Sequence, residues 1–405
     1  MSKNPIPEPT APTGTGENER AAARTSDGAP TAAVVTPAGR GAVATIAVQC
    51  SPELFDVEPC LFMAANRRSV REQPIDRICF GRWGAAETEA EDVVLCRTGE
   101  QTTEIHCHGG SAAANRILRD LAQRGCRAEA WETQLAARGA TTAAIEVTQA
   151  LSRAATLRTA GILLEQQTVL VEELRNLPQA DPDQLPERLD NLLRWSEFGV
   201  KLTEPWRVVL CGRPNVGKSS LINALLGYTR SIVFDQPGTT RDLLTANAAF
   251  DGWPVELTDT AGLRDGGDVI ETIGVERARE RLKCANLAII VIDRSRVPTD
   301  EDYRLLEAFP DSLRVANKCD LEDAWGGKLP SDAMAVSSLI GDGVEELASE
   351  IGRRIAPTVP DAGTPLPVTD RQMRLLQAAR KAIEQQDAPA ARSAIERCLD
   401  DPGEP

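Results

Sequence analysis

The chain has 405 residues, which at about 150 residues per domain corresponds to roughly two to three domains. It is 42% hydrophobic and 26% charged, a composition that builds buried cores and excludes a wholly disordered chain; with aromatics at 4%, those cores rest on Leu, Ile, Val and Ala. An excess of 60 Asp and Glu over 45 Lys and Arg gives a net charge of −15, which repels phosphodiester backbones and excludes a general nucleic-acid coat, so that any RNA contact needs a local basic patch.

No apolar run approaches the ~18 residues of a membrane span. The ten cysteines are dispersed, no two within four residues, so C-x-x-C redox and close-paired zinc spacings are missing, and the two histidines, His106 and His108, make a His-rich metal site improbable on composition. No apolar leader segment occurs within 1–32. Dispersed thiols without a leader are the pattern of a cytoplasmic protein with reduced cysteines.

Along the chain, residues 1–32 are Pro, Ala, Thr, Gly and charge, too poor in apolar side chains to offset ordering entropy, and are expected to form a disordered tail. Strand-like runs follow at 33–36, 42–48, 78–80, 93–96 and 103–107, and Gly109 and Gly110 open a helical run over 111–124 with Ile117, Leu118 and Leu121 on one face. The reading is a small α+β domain over 33–130. Helical spacing dominates 141–176, Pro178, Pro182 and Pro186 interrupt it, and a further helix is expected over 189–198. The same texture returns after the middle of the chain, where Thr369 and Gln372 have the spacing of a capping box. Helical blocks at 131–204 and 357–405 therefore flank an α/β block at 205–356. An insertion into one helical domain is the simplest arrangement, because the flanking helices need each other's apolar faces.

The chemistry concentrates in that α/β block. The buried-strand run Trp206 to Cys211 leads into G-x4-G-K-S from Gly212 to Ser219, followed by a helical run. Glycines let backbone N–H groups curl around phosphate oxygens at a helix N-terminus. The expected phosphate contacts are Asn215, Val216, Gly217, Lys218, Ser219 and Ser220, with the Ser219 hydroxyl on Mg²⁺; the plain alternative is a Gly-rich turn capping a helix. Downstream, Thr240 in a polar loop is placed to complete the Mg²⁺ shell. Asp259 and Gly262 of a strand-terminal D-T-A-G are placed for Mg²⁺, through water, and for the γ-phosphate. Asn317, Lys318 and Asp320 form N-K-x-D, and Ser337 and Ser338 form the loop that backs a base. A carboxylate at Asp320 accepts from guanine N1–H and its 2-amino group, donors that adenine does not pair in this way, so the order of motifs implies GTP. Where a water-orienting Gln follows D-x-x-G in Ras-like proteins, this chain has Leu263; Glu271 is the alternative candidate, the competing reading being a solvated acid at a helix start.

These blocks resemble the Era/Der/MnmE branch of bacterial GTPases. Thr36-Pro-Ala-Gly-Arg-Gly41 and the Glu104 to Gly110 stretch, similar to T-P-P-G-R-G and E-x-x-x-H-G-G, narrow the resemblance to the MnmE (TrmE) family, over about 33 to 385. The resemblance implies a multidomain α/β and α fold, with a Ras-like P-loop GTPase domain inserted in a helical domain and a small α+β domain in front. It implies GTP hydrolysis stimulated by K⁺, with Asn215, Thr239 and the carbonyls of Phe234 and Gln236 around the cation and Glu271 as the catalytic glutamate. It further implies a homodimer, an MnmG-like flavoprotein partner and modification of the tRNA wobble uridine at C5. The sequence also departs from the family. It ends without Cys-x-Gly-Lys, so Cys398 is not the family cysteine, and the second helical block is short. Of the expected contacts to 5-formyl-tetrahydrofolate only Glu104 is kept: the arginine position is Ala47, and the lysine-bearing stretch reads Gln134 to Ala140. Weak folate binding is the expectation, each lost charged hydrogen bond being worth ~1.5–3 kcal/mol. The alternative function is a GTP-dependent switch or assembly factor without the modification and folate chemistry. An Era- or Der-type ribosome-assembly protein is disfavoured because 357–405 is neither long nor basic.

Overall fold

The computed structural model describes residues 29–37, 41–84, 90–228, 245–259 and 285–400. It divides into two compact units, one ending at Gln134 and one beginning at Leu135.

The first unit is built on a seven-stranded sheet. In chain order its strands are β1 (Thr31–Val34), β2 (Val43–Gln49), β3 (Phe62–Ala64), β4 (Ile78–Trp83), β5 (Glu91–Arg97), β6 (Thr102–His108) and β7 (Arg127–Ala128), arranged β3-β4-β5-β6-β2-β1-β7. All pairings are antiparallel except β1 with β7. Period-2 alternation sends Ile46, Val48, Leu95 and Ile105 into a core with Ala114, Ile117 and Leu121 of a helix over Ser111–Gln123. The short helix α1 (Glu53–Asp56) closes one side with Phe55 against Trp83, and the Ser111–Gln123 helix is α2. β3 and β7 have three and two residues, too few for a periodic signal, and were not expected from the sequence.

The second unit contains a six-stranded sheet ordered β13-β12-β11-β8-β10-β9. Its strands are β8 (Trp206–Cys211), β9 (Thr245–Phe250), β10 (Trp253–Asp259), β11 (Leu287–Asp293), β12 (Leu313–Asn317) and β13 (Met334–Val336). The pairs are parallel, apart from the β9–β10 hairpin. Strands buried on both faces read as continuous apolar runs, and β11, Leu-Ala-Ile-Ile-Val-Ile-Asp, is the clearest case. At the starting ends of β8 and β10, Trp206 and Trp253 lie 5.3 Å apart and pack with Phe198, which anchors both strands at the end away from their polar termini.

Helices precede, interrupt and follow this sheet in the chain. Preceding it are α3 (Trp131–Ala137), which crosses the boundary between the units, α4 (Thr142–Ser152), α5 (Leu157–Gln166), α6 (Val169–Asn176), α7 (Leu185–Arg194) and α8 (Ser196–Lys201). Within and after it come α9 (Lys218–Tyr228), α10 (Asp300–Ala308), α11 (Val344–Ile355), α12 (Asp370–Glu384) and α13 (Ala388–Asp400). Helices from both ends of the unit meet: Arg371 Nε and Nη2 donate to the Glu146 carboxylate at 2.6 and 2.9 Å, and Gln372 Nε2 donates to it at 2.7 Å. Arg371 also donates to the carbonyls of Arg397 and Cys398. Cys398 is fully buried against this network, and burial pushes its thiol up to about 12, so it is a packing residue rather than a reactive thiol.

Three local expectations are corrected. Pro186 does not interrupt a helix but sits in the first turn of α7, where the missing N–H costs nothing, and Pro178 lies in a single 3₁₀ turn over Leu177–Gln179. The helix expected over 189–198 is two helices, α7 and α8, with the break at Trp195. The capping box at Thr369 is only half made. Thr369 Oγ1 accepts the Gln372 N–H at 3.2 Å, but the Gln372 side chain accepts from the N–H of Val368 and turns to Glu146.

Candidate nucleotide site

The loop between β8 and α9 carries the G-x4-G-K-S residues. Its backbone needs glycine at two points: Gly212 has φ +153° beside the Val291 carbonyl, and Gly217 has φ +96° beside the Asn317 amide. A Cβ at either would collide with those groups. Val216 is buried as the loop's apolar anchor. Lys218, at the first position of α9, donates to the carbonyls of Gly212 and Arg213 at 2.9 and 3.0 Å, which curls the loop around its own ammonium. Ser219 and Ser220 are exposed in the first turn of α9. Ser219 Oγ donates to Asp259 Oδ2 at 2.7 Å, at the terminus of β10. A hydroxyl and a carboxylate so placed are the hard oxygen donors that suit Mg²⁺.

The base-recognition residues follow β12 and β13. Asn317 is fully buried: its Nδ2 donates to the Val216 carbonyl at 2.8 Å, and its Oδ1 accepts the Ser338 N–H at 3.1 Å. One amide therefore joins the phosphate loop, the N-K-x-D turn and the loop after β13. Ser337 Oγ donates to Asp320 Oδ1 at 2.5 Å, which orients a carboxylate that can accept from guanine. Lys318, at φ +67°, donates to the Asn215 carbonyl at 3.1 Å and to Asp293 Oδ2 at 2.6 Å. Asp293 ends β11 and is buried. Burial alone would raise its carboxyl, but Lys318 and the hydroxyl and N–H of Ser295 outweigh this and hold it below the usual carboxylate range. Asp293 was not singled out from the sequence; an acid closing an apolar strand beside the phosphate loop was the available signal.

Asn215 takes φ +65° and exposes its side chain. Thr239, Thr240, Phe234, Gln236, Gly262, Leu263 and Glu271 lie outside the described residues, as do residues 1–28 of the tail expected over 1–32, whose last two residues, Thr31 and Ala32, instead open β1 because their backbone pairs with β2. The described residues contain no cluster of three or more metal-ligating side chains and no helix long and apolar enough to cross a membrane.

In the first unit, Glu104 and His106 stand on one face of β6, with Glu104 Oε2 3.5 Å from His106 Nε2 and Thr45 Oγ1 3.0 Å from His106 Nδ1. Ala47, opposite Glu104 on β2, is buried, and Gln134 Nε2 donates to its carbonyl and to Thr31 Oγ1, each at 3.3 Å. Gln134 is itself buried, so a neutral amide fills the ground beside Ala47. Ala47 and this neutral amide offer no cation to the carboxylates of a folate.

A parallel sheet whose strand ends gather a glycine-rich phosphate cradle, an oxygen pair for a divalent cation and a carboxylate poised for guanine defines a P-loop GTPase domain. In keeping with this, residues 207–318 match the family described as 50S ribosome-binding GTPase. The chain is 31% identical over 408 residues to the tRNA modification GTPase MnmE of Bacillus licheniformis, covering 87% of this chain and 88% of that protein. It is 32% identical to the MnmE of Geobacillus thermodenitrificans over the same shares, and 35% identical to that of Parasynechococcus marenigrum over 73% of each chain. The chain belongs to the MnmE family.

Proposed function

We propose that the protein hydrolyses GTP in the service of tRNA modification, as the names of its relatives indicate for them. The observation that carries the GTPase reading is the Asn317 amide, which ties the Val216 carbonyl of the phosphate loop to the Ser338 N–H of the base-backing loop. In this reading Lys218 neutralises the β- and γ-phosphates, Ser219, Thr240 and Asp259 hold Mg²⁺, and Asp320 selects guanine. Leu263 cannot orient water, so Glu271 does so. K⁺ near Asn215 and Thr239, with the carbonyls of Phe234 and Gln236, supplies the positive charge that an arginine finger gives elsewhere. The proposal extends to a cytoplasmic homodimer acting with an MnmG-like flavoprotein on the wobble uridine. A partner of this kind would carry much of the RNA contact, since the chain's net charge is −15.

A second reading, a GTP-dependent switch without the modification chemistry, is favoured by one observation: Ala47, at the position of the expected folate arginine, is buried under the neutral Gln134 amide. Complementation of a strain lacking its own MnmE, scored by wobble-uridine modification, separates the two. Restored modification supports the first reading; retained GTP hydrolysis without modification supports the second. Turnover that is equal in K⁺ and Na⁺ removes the cation from either account, and a Glu271→Ala protein with unchanged turnover removes Glu271.

A further inference from the structure

Beside the Asn317 amide, Lys318 makes a second bond between the two halves of the nucleotide site, and its ammonium is held by a fixed counter-charge. It occupies a left-handed backbone conformation at φ +67°, which a lysine adopts only when its surroundings impose it. Its Nζ reaches the Asn215 carbonyl in the phosphate loop at 3.1 Å and Asp293 Oδ2 at 2.6 Å. Asp293 is built to hold that position. It is 6% exposed, its Oδ1 accepts the N–H and the hydroxyl of Ser295 at 3.0 and 2.6 Å, and its own carbonyl accepts the Trp325 indole N–H at 2.9 Å. Trp325 is itself buried, and its ring meets Tyr303 edge-on at 6.0 Å. Arg296 approaches the same Oδ2 at 3.5 Å, but its side chain is 67% exposed, and solvent screens it. The close pair is therefore the buried Asp293 with Lys318, whose side chain is 26% exposed against 67% for Arg296.

We propose that Asp293 is a positioning residue for guanine nucleotide binding: through Lys318 it fixes the turn that carries Asp320 and joins that turn to the Asn215 peptide of the phosphate loop. The proposal rests on the GTPase reading of the site and adds a residue that touches neither base nor phosphate. It acts on affinity, not on the chemical step, because its carboxylate reaches the nucleotide loops through the lysine. A residue working through another shows complete non-additivity with it, whereas a residue that merely supports the fold does not.

The test uses the full chain and a fluorescent mant-GDP titration, together with the KM and kcat for GTP. The wild-type titration examines the GTPase reading by itself; absence of mant-GDP binding there defeats that reading before any variant is compared. Given wild-type binding, Asp293→Asn is expected to weaken mant-GDP affinity and raise the KM by about tenfold to a hundredfold, the range for one lost charged hydrogen bond, with kcat within about twofold. Asp293→Glu is expected to recover part of the loss. The double variant Asp293→Asn with Lys318→Ala should bind no more weakly than Lys318→Ala alone. Additive losses in the double variant, or a fall in kcat at unchanged KM, overturn the proposal. Should Asp293→Asn fail to fold, Ser295→Ala keeps the carboxylate but removes the hydroxyl, one of the two Ser295 donors to its Oδ1, and is expected to weaken mant-GDP binding about threefold to tenfold. Unchanged affinity in a folded Ser295→Ala protein overturns it as well.

Discussion

At the strand ends of the second unit's sheet, polar side chains of the nucleotide loops meet one another: Asn317 meets Val216 and Ser338, Lys318 meets Asp293, Ser219 meets Asp259, and Asp320 meets Ser337. On the open face of the first unit's sheet, Glu104 has a histidine at 3.5 Å, and the neighbouring ground is held by Ala47 and a neutral glutamine. The first arrangement holds dipoles and charges in place before any ligand arrives, so that little reorganisation is needed when phosphate charge develops. The second has exchanged charge for packing. Two regions of one chain thus differ in what a substitution costs. In the nucleotide loops, removing one group strands its partners; on the β2–β6 face, the described neighbours of Glu104 include a buried alanine and a neutral glutamine.

The largest expected effect follows from the ammonium that curls the phosphate loop. Lys218→Ala should lower the GTP turnover by at least about a hundredfold, since it removes a charge placed for the transferring phosphoryl group. A steady-state phosphate-release assay measures it, and turnover within tenfold of wild type would end the assignment of Lys218. Asn317→Ala comes next. It leaves the Val216 carbonyl and the Ser338 N–H without a buried partner, at about 1–3 kcal/mol each. Loss of nucleotide affinity together with a lower unfolding midpoint is expected; a change in one without the other would break the claim that this amide joins two loops.

What the sequence made legible, and what it did not, follows the range of the interactions. A strand, a glycine-rich loop and a helix are contiguous, so the phosphate cradle could be read from Trp206 to Leu226 without knowledge of the rest. N-K-x-D could be read as a base-recognition turn, but the Asn317 bond to Val216 joins residues far apart in the chain, and no local pattern encodes it. The Asp293–Lys318 pair escaped for the same reason. Short-range errors had another cause: a side chain with two possible partners. Gln372 could cap its own helix, yet its amide oxygen accepts the Val368 N–H instead of that of Thr369, and its amide nitrogen donates to the Glu146 carboxylate. Pro186 was read as a breaker because sequence alone does not reveal that it falls in a first turn. Short strands such as β3 and β7 exist through their neighbours and carry almost no signal of their own.

The first unit supplies the next prediction. A calorimetric titration of the full chain with 5-formyl-tetrahydrofolate should give only dilution heats, because Ala47 and the neutral Gln134 amide offer the ligand's carboxylates no cation. Saturable binding would erase the contrast between the two sheets. Gln134→Ala should leave GTP turnover unchanged and cost about 1–3 kcal/mol of stability, because it removes a buried amide that donates to the Ala47 carbonyl and Thr31 Oγ1. Similar in size is Arg371→Met in the second unit, which leaves the Glu146 carboxylate, only 14% exposed, facing Gln372. A loss of about 2–3 kcal/mol is expected from chemical denaturation, and a silent substitution would show that the junction of α4 with α12 is held by its apolar contacts.

The smallest effect tests how far pairing matters where water reaches it. On α11, Glu350 accepts from Arg353 at 2.6 and 2.7 Å and from Arg354 at 2.8 Å. The Arg353 hydrogen bond, joined by that of Arg354, outweighs burial and lowers the Glu350 carboxyl to about 2. A carboxyl that titrates lower in the folded than in the unfolded chain stabilises the fold above its unfolded value, and that contribution fades as pH falls through the folded one. The Glu350 contribution is thus complete at neutral pH, declines below the usual glutamate range and is gone below about pH 2. Because the Arg353 side chain is 68% exposed, the pair is worth at most about 1 kcal/mol. Glu350→Gln should lower stability by no more than this at pH 7, with the difference from wild type vanishing towards pH 2. A larger loss in denaturant titrations would mean that exposure does not separate strong pairs from weak ones here, and the nucleotide loops would lose their claim to a different construction.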